Sequence, residues 1–131
     1  FFTIVSLIVD LEEGIVLLSN AGHPSPLIQR NGSVELLDRQ REGLVGINMI
    51  RGDVAKIPFL SGDRLLLYTD GLIEVMNEGG EMFGEDRLID LVKSCSKIDI
   101  KRTSGRLKDS YESFKGDALA EDDITALLIE F

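Results

Sequence analysis

The sequence predicts an α+β fold built mostly on antiparallel sheet. Apolar, β-branched runs come in pairs joined by short turns, which is the pattern of hairpins. Helical periodicity appears late in the chain, and the strands do not alternate with helices as a parallel sheet would require. The chain has 131 residues, 44% hydrophobic and 28% charged. That is globular composition, and the length suits one domain or part of one.

Phe2 to Leu11 is almost wholly apolar (Phe2, Ile4, Val5, Ile8, Val9), so a strand buried on both faces is expected. Glu12-Glu13-Gly14 turns the chain, and Ile15 to Ser19 returns as the second strand of a hairpin. Asn20 to Pro26 holds two prolines and a glycine, and reads as a rigid, irregular loop. Leu27–Arg30 and Ser33–Leu37 flank Asn31-Gly32, the strongest short hairpin signal. Asp38 to Met49 reads as a connection containing Gly43 and Gly46. Val54 to Leu60 is a strand that Pro58 places at an edge or a strand end. Ser61-Gly62-Asp63 is a turn, and Arg64 to Thr69 a compact apolar strand running into Asp70-Gly71. Asn77-Glu78-Gly79-Gly80 reads as a flexible loop. Glu85 and Asp86 suit a helix N-terminus, and Leu88, Ile89, Leu91 and Val92 carry its apolar face to about Cys95. A second helix covers Lys101 to Lys115, with Leu107, Tyr111 and Phe114 on one face and Gly116 as its cap. Gly105 weakens it by roughly 1 kcal/mol against alanine. Ile124 to Phe131 is the last strand.

Fourteen basic residues stand against 23 acidic ones, for a net charge of −9. Such a surface repels phosphate backbones and anionic bilayers, so neither nucleic acid nor a membrane surface is an expected partner. One cysteine, Cys95, allows neither an internal disulfide nor a thiolate zinc cage. One histidine, His23, excludes metal sites that need two. No apolar run approaches the roughly 18 residues that span a bilayer. A cytoplasmic protein is the default expectation, and the start at Phe1 suggests that something is removed upstream.

Two acidic clusters are candidates for chemistry. Asp70 ends a buried strand, a rigid support, and Gly71 lets the backbone turn sharply or approach a ligand closely. The competing reading is a plain Asp-Gly turn. Glu121-Asp122-Asp123 stands just before the last strand. Adjacent anions are either solvated or held by a cation, and hard cations such as Mg²⁺ and Mn²⁺ take carboxylate oxygens. If Arg64–Thr69 and Ile124–Phe131 pair antiparallel, one strand's end meets the other's start and the clusters converge. His23 is a candidate acid or base, or simply a hydrogen-bonded loop anchor. Cys95 reads as inert core. No phosphate-cradling Gly-Lys-Ser/Thr and no Gly-x-Ser-x-Gly elbow occurs.

Five segments together resemble a known family. Asn20-Ala21-Gly22-His23-Pro24-Ser25-Pro26-Leu27 is similar to the Asn-Ala-Gly-His-x-Pro-Pro-Leu segment of bacterial SpoIIE/RsbU-type phosphatases, members of the PPM (type-2C-like) metal-dependent serine/threonine phosphatases. Gly43-Leu44-Val45-Gly46-Ile47 resembles their Gly-x-Pro-Leu-Gly-Ile without the proline. Gly62 to Glu74, Phe83 to Leu88, and Asp122-Asp123-Ile124-Thr125 continue the match in order. The resemblance implies a four-layer αββα sandwich with two antiparallel sheets, and a pair of Mn²⁺ or Mg²⁺ ions that activate water for attack on a phosphoserine. It implies Asp70 and Asp122 as metal ligands, with Asp123 in reserve. It implies a phosphorylated anti-anti-sigma-type regulatory protein as partner, and a sensor domain upstream.

The family opens with strands bearing an acidic ligand, a Gly-Asp-Val-x-Gly-x-Gly motif whose aspartate bridges both metals, and two helices. None of these is in this sequence. Residues 1–131 are therefore expected to be the C-terminal portion of a single phosphatase domain, with little activity alone. An apolar sheet face and open strand edges left by the missing part are expected to drive dimerisation, strand exchange or poor solubility. The alternative is a non-catalytic pseudophosphatase acting as a protein-docking module. A third reading, a plain structural domain, makes the aspartates turns. The substrate-binding residues are not legible, and Asn77 to Glu85 is a candidate flap only because it is glycine-rich.

Overall fold

The computed structural model describes residues 2–37, 45, 54–119 and 122–131. Among them are β1 (Ile4–Asp10), β2 (Ile15–Ala21), β3 (Leu27–Arg30), β4 (Ser33–Leu36), β5 (Ala55–Pro58), β6 (Arg64–Tyr68), α1 (Gly71–Glu74), α2 (Gly84–Ser94), α3 (Ile100–Lys115) and β7 (Ala126–Glu130). The strands form a three-stranded sheet in the order β1-β2-β5 and a four-stranded sheet in the order β4-β3-β6-β7. Among the described residues, every pairing between these strands is antiparallel, as the hairpin pattern predicts.

Local chemistry explains the turns. Asn31 (φ 49°) and Gly32 (φ 80°) both take positive φ, the requirement of a tight two-residue hairpin between β3 and β4. The β1–β2 turn is held by Asp10 Oδ1, which accepts from the backbone N–H groups of Glu12 and Glu13 at 3.0 and 2.9 Å. Pro58 ends β5, which lies at the edge of its sheet, where a missing donor does least harm. The Asp99 side chain caps α3 by accepting from Arg102 N at 2.9 Å, and Gly116 follows its last residue.

The two faces of the four-stranded sheet are both used. Leu27, Leu66 and Tyr68 face the helices and join Leu72, Leu88, Val92, Leu107 and Tyr111 in one buried cluster. Ile28 and Leu65, their neighbours on the opposite face, are buried too, as are Val16 and Leu18 of β2. The C-terminal end of α2 docks on the sheet through polar contacts. Gln29 of β3 donates to Val92 O at 2.5 Å, and Arg64 of β6 donates to Cys95 O at 3.1 Å. Both carbonyls also accept a backbone N–H, Val92 O from Cys95 and Cys95 O from Ile98, so the side-chain bonds add the sheet as a second partner.

Arg30 and Asp63 join the sheets at one end. Asp63, 4% exposed, accepts from Arg30 Nε at 2.8 Å and from Leu60 N at 2.9 Å. Arg30 also donates to Pro58 O at 2.6 Å, and Phe59 stacks on Phe131 with centroids 4.0 Å apart.

Three sequence expectations change. β1 is not buried on both faces: Ile4 and Ile8 are 47% and 63% exposed, because the outer face of its sheet is uncovered among the described residues. Among the described residues, β1, β5, β4 and β7 stand at the sheet margins, and the outer face of β1 carries the exposed apolar surface expected from the sequence. Residues 77–80, expected as a flexible loop, form a hydrogen-bonded turn. Asn77 Oδ1 accepts from Gly79 N and Glu81 N at 3.0 and 2.9 Å, closing a turn between bridged Met76 and Met82. A third helix, α1, follows Asp70, where the sequence signalled only a turn. The expected connection over residues 38–49 and the Gly43–Ile47 motif lie outside the described residues, apart from Val45.

Candidate functional site

The site is built where β6 ends and β7 begins. Their register pairs Tyr68 with Ala126, and the ladder continues beyond both strands. Thr69 N donates to Thr125 O at 3.0 Å, Thr125 N donates to Thr69 Oγ1 at 2.9 Å, and Thr69 Oγ1 donates to Asp123 O at 3.2 Å. One threonine thus fastens the two acidic segments together. The antiparallel pairing expected from sequence is present, and with it the convergence of Asp70-Gly71 on Asp122-Asp123.

Gly71 makes that convergence possible. A Cβ at this position would stand 2.7 Å from Asp123 O and 3.4 Å from Asp122 Cβ. Asp70 caps α1, with Oδ1 accepting from Gly71 N at 3.1 Å. Asp122 Oδ1 accepts from Asp123 N at 2.7 Å. Both carboxylates are therefore oriented by backbone donors. Asp123 is engaged through its backbone, by these contacts from Asp122 and Thr69. Glu121 lies outside the described residues.

The donor chemistry suits a hard divalent cation only in part. Asp70 and Asp122 offer carboxylate oxygens from two adjoining segments, the donor type Mg²⁺ and Mn²⁺ prefer. Among the described residues, however, no three His, Cys, Asp or Glu side chains gather in a group that could hold a metal ion. Near-octahedral Mg²⁺ needs more than this pair.

His23 is held in a loop: Asn20 Oδ1 accepts from His23 N at 2.9 Å, and Asn20 Nδ2 donates to His23 O at 3.0 Å. Thr3 Oγ1 lies 3.0 Å from His23 Nδ1. The loop-anchor reading fits this geometry. Cys95 is fully buried at the end of α2, as expected of core.

Sequence reasoning missed two features. Thr69 and Thr125 carried no signal beyond their place in the motif. The sequence places Tyr111 only on an apolar helix face. It is 6% exposed, and among the described residues its hydroxyl meets no hydrogen-bond partner. Burial, and after it the Glu112 charge, raises its phenol above the usual range.

This arrangement of sheets and helices is that of PP2C-type phosphatase domains. The SiaA PP2C domain of Pseudomonas aeruginosa matches with a TM-score of 0.83 at 22% identity, over 95% of this chain and 49% of that one. The Mn-presoaked phosphatase domain of SpoIIE from Bacillus subtilis matches at 0.76 and 19% identity, over 98% and 56%. The structure of RsbU and RsbW domains from Mycobacterium tuberculosis matches at 0.76 and 28% identity, over 98% and 35%. The chain spans about half, or less, of the length of these solved chains. The sequence model of the family Stage II sporulation protein E (SpoIIE) matches residues 1–131, and the chain belongs to that family. No curated protein matches the chain. No helix among the described residues is long and apolar enough to cross a membrane.

Proposed function

We propose that residues 1–131 form the C-terminal portion of a single metal-dependent serine/threonine phosphatase domain, which removes phosphate from phosphoserine on a regulatory protein. The observation that carries this reading is the junction of Asp70 and Asp122 across Gly71, within a chain that belongs to the SpoIIE family. Asp70 and Asp122 are its metal-ligating residues, with Asp123 as the reserve ligand. Mn²⁺ or Mg²⁺ held there would lower the pKa of a bound water and direct it at the phosphorus. This chain's own task is to hold two carboxylates rigidly at one place. The β6–β7 ladder fixes their separation, and the backbone donors Gly71 N and Asp123 N orient them.

The remaining ligands would come from the half of the domain that the solved phosphatase chains have and this chain does not span. The fragment alone is proposed to turn over poorly for that reason. An anti-anti-sigma-type protein is the proposed substrate, an upstream sensor domain the proposed control, and the cytoplasm the proposed location. The exposed Ile4 and Ile8 support association of isolated fragments into dimers.

The test is hydrolysis of a phosphoserine protein by the full-length protein during Mn²⁺ titration. Turnover that rises with Mn²⁺ and disappears with a chelator supports the reading. A folded protein with no turnover in either metal would favour the docking-module alternative.

A further inference from the structure

Gly71 and Gly105 both lie in helices, but the fold requires only the first. A Cβ on residue 105 would meet nothing within 4 Å, and the backbone there has no positive φ. Glycine inside a helix weakens it relative to alanine, and no contact in the fold offsets that loss. Helical spacing sets Gly105 opposite the buried Thr103, Leu107 and Tyr111, with Lys101 and Lys108 on one flank and Arg102 and Arg106 on the other. All four flanking side chains are exposed. Arg64 donates to both Cys95 O and Thr103 Oγ1, at 3.1 and 3.4 Å, so the end of α2, with exposed Lys93 and Lys97 beside it, adjoins this half of α3. Residues 93–108 thus hold six basic residues and one acid, Asp99, in a chain of 14 bases and 23 acids. Among the described residues, only Arg102 of the six has a charged partner, Asp99 at 3.3 Å. Asp109 and Glu112 follow on the same face and end the band.

The cationic band selects an anionic occupant, and its bare centre selects how that occupant is held. With no side chain at residue 105, a partner's backbone can approach the helix closely. A bilayer or a duplex spreads its charge more widely than one helix face, and would meet the chain's many remaining acids as well. Residues 93–108 also contain no aromatic side chain to enter a membrane interface or to stack on bases. We infer that the first half of α3 docks an acidic segment of a partner protein, whose carboxylates reach Lys101, Arg102, Arg106 and Lys108 while its backbone lies over Gly105. Arg64 holds this half of α3 at the start of β6, and Asp70 follows the other end of that strand. The docking surface is therefore separate from the acidic pair, and it stands whether or not that pair serves a phosphatase.

The test measures, by fluorescence anisotropy, binding of a labelled helix-forming peptide of glutamate and alanine to the full-length protein. The wild-type protein should bind it, and more weakly as salt is raised. Lys101→Glu should weaken binding about fivefold. Lys56→Glu, the same change of charge on exposed β5, should weaken it by less than about twofold. Gly105→Gln fills the bare centre with a better helix former, and should weaken binding about fivefold while raising the Tm. A glycine with a merely structural role would not separate affinity from stability in this way. No binding of the peptide by the wild-type protein, or wild-type affinity in either Lys101→Glu or Gly105→Gln, would overturn the assignment. Tighter binding to phosphatidylserine vesicles or to duplex DNA than to the peptide would overturn it too, in favour of a membrane or a nucleic acid.

Discussion

A Cβ on Gly71 would lie 2.7 Å from the carbonyl oxygen of Asp123, so the two acidic segments touch only because residue 71 has no side chain. The backbone at Gly71 is helical and needs no positive φ. Its requirement is space, and the space is taken by backbone, which cannot swing away as a side chain can.

Gly71→Ala is therefore expected to push α1 from the 122–125 segment and cost about 2 kcal/mol, as overpacking does. Gly105→Ala is the control. Nothing lies within 4 Å of a Cβ there, and the change should stabilise α3 by up to about 1 kcal/mol. Urea unfolding of the two variants should move in opposite directions, and a shared direction would refute the close-approach argument.

The Arg30–Asp63 pair is expected to matter more than its surface counterparts. Asp63→Ala leaves the Leu60 N–H and the Arg30 guanidinium without their carboxylate, and should cost about 2 kcal/mol. Arg30 is one-third exposed, which holds the figure below that of a fully buried pair. Glu81→Ala, which breaks the exposed pair with Arg87, should change stability by less than about 0.5 kcal/mol. Thermal melts of both variants check the contrast.

Asp99 gives a pH signature. Its pKa is lowered, chiefly by the hydrogen bond from Arg102 N at the start of α3. A depressed carboxylate contributes stability above its unfolded pKa, near 4, and loses it as pH falls through the folded value. The Tm difference between the wild-type protein and Asp99→Ala should therefore shrink as pH falls from about 5 to about 3. A constant difference over that range would mean that the carboxylate charge plays no part in the cap.

Much of this fold was legible because its signals are short-range. Asn31-Gly32, Pro58 and Gly116 each fix a backbone conformation by their own chemistry, and each sits where that chemistry predicts. The β6–β7 pairing was legible as a consequence of two apolar runs bounded by acids. The single-turn α1 was not, since four residues carry no period. The exposed face of β1 was not, because an apolar strand reads alike whether its cover is present or absent. The acidic pair was visible in sequence, whereas its fastening by Thr69 and the orphaned Tyr111 hydroxyl depend on contacts between residues 54 or more positions apart or on burial. No local pattern records such relationships.

The central claim is that Asp70 and Asp122 hold catalytic metal. The most direct measurement is kcat/KM for phosphoserine hydrolysis by the full-length protein in Mn²⁺, compared with Asp70→Asn and Asp122→Asn. Asparagine keeps the size and loses the charge. Each change is predicted to lower the rate about a thousandfold or more, at unchanged thermal stability of the metal-free protein. Wild-type rates in either variant would contradict the assignment of that aspartate, and wild-type rates in both would contradict the account.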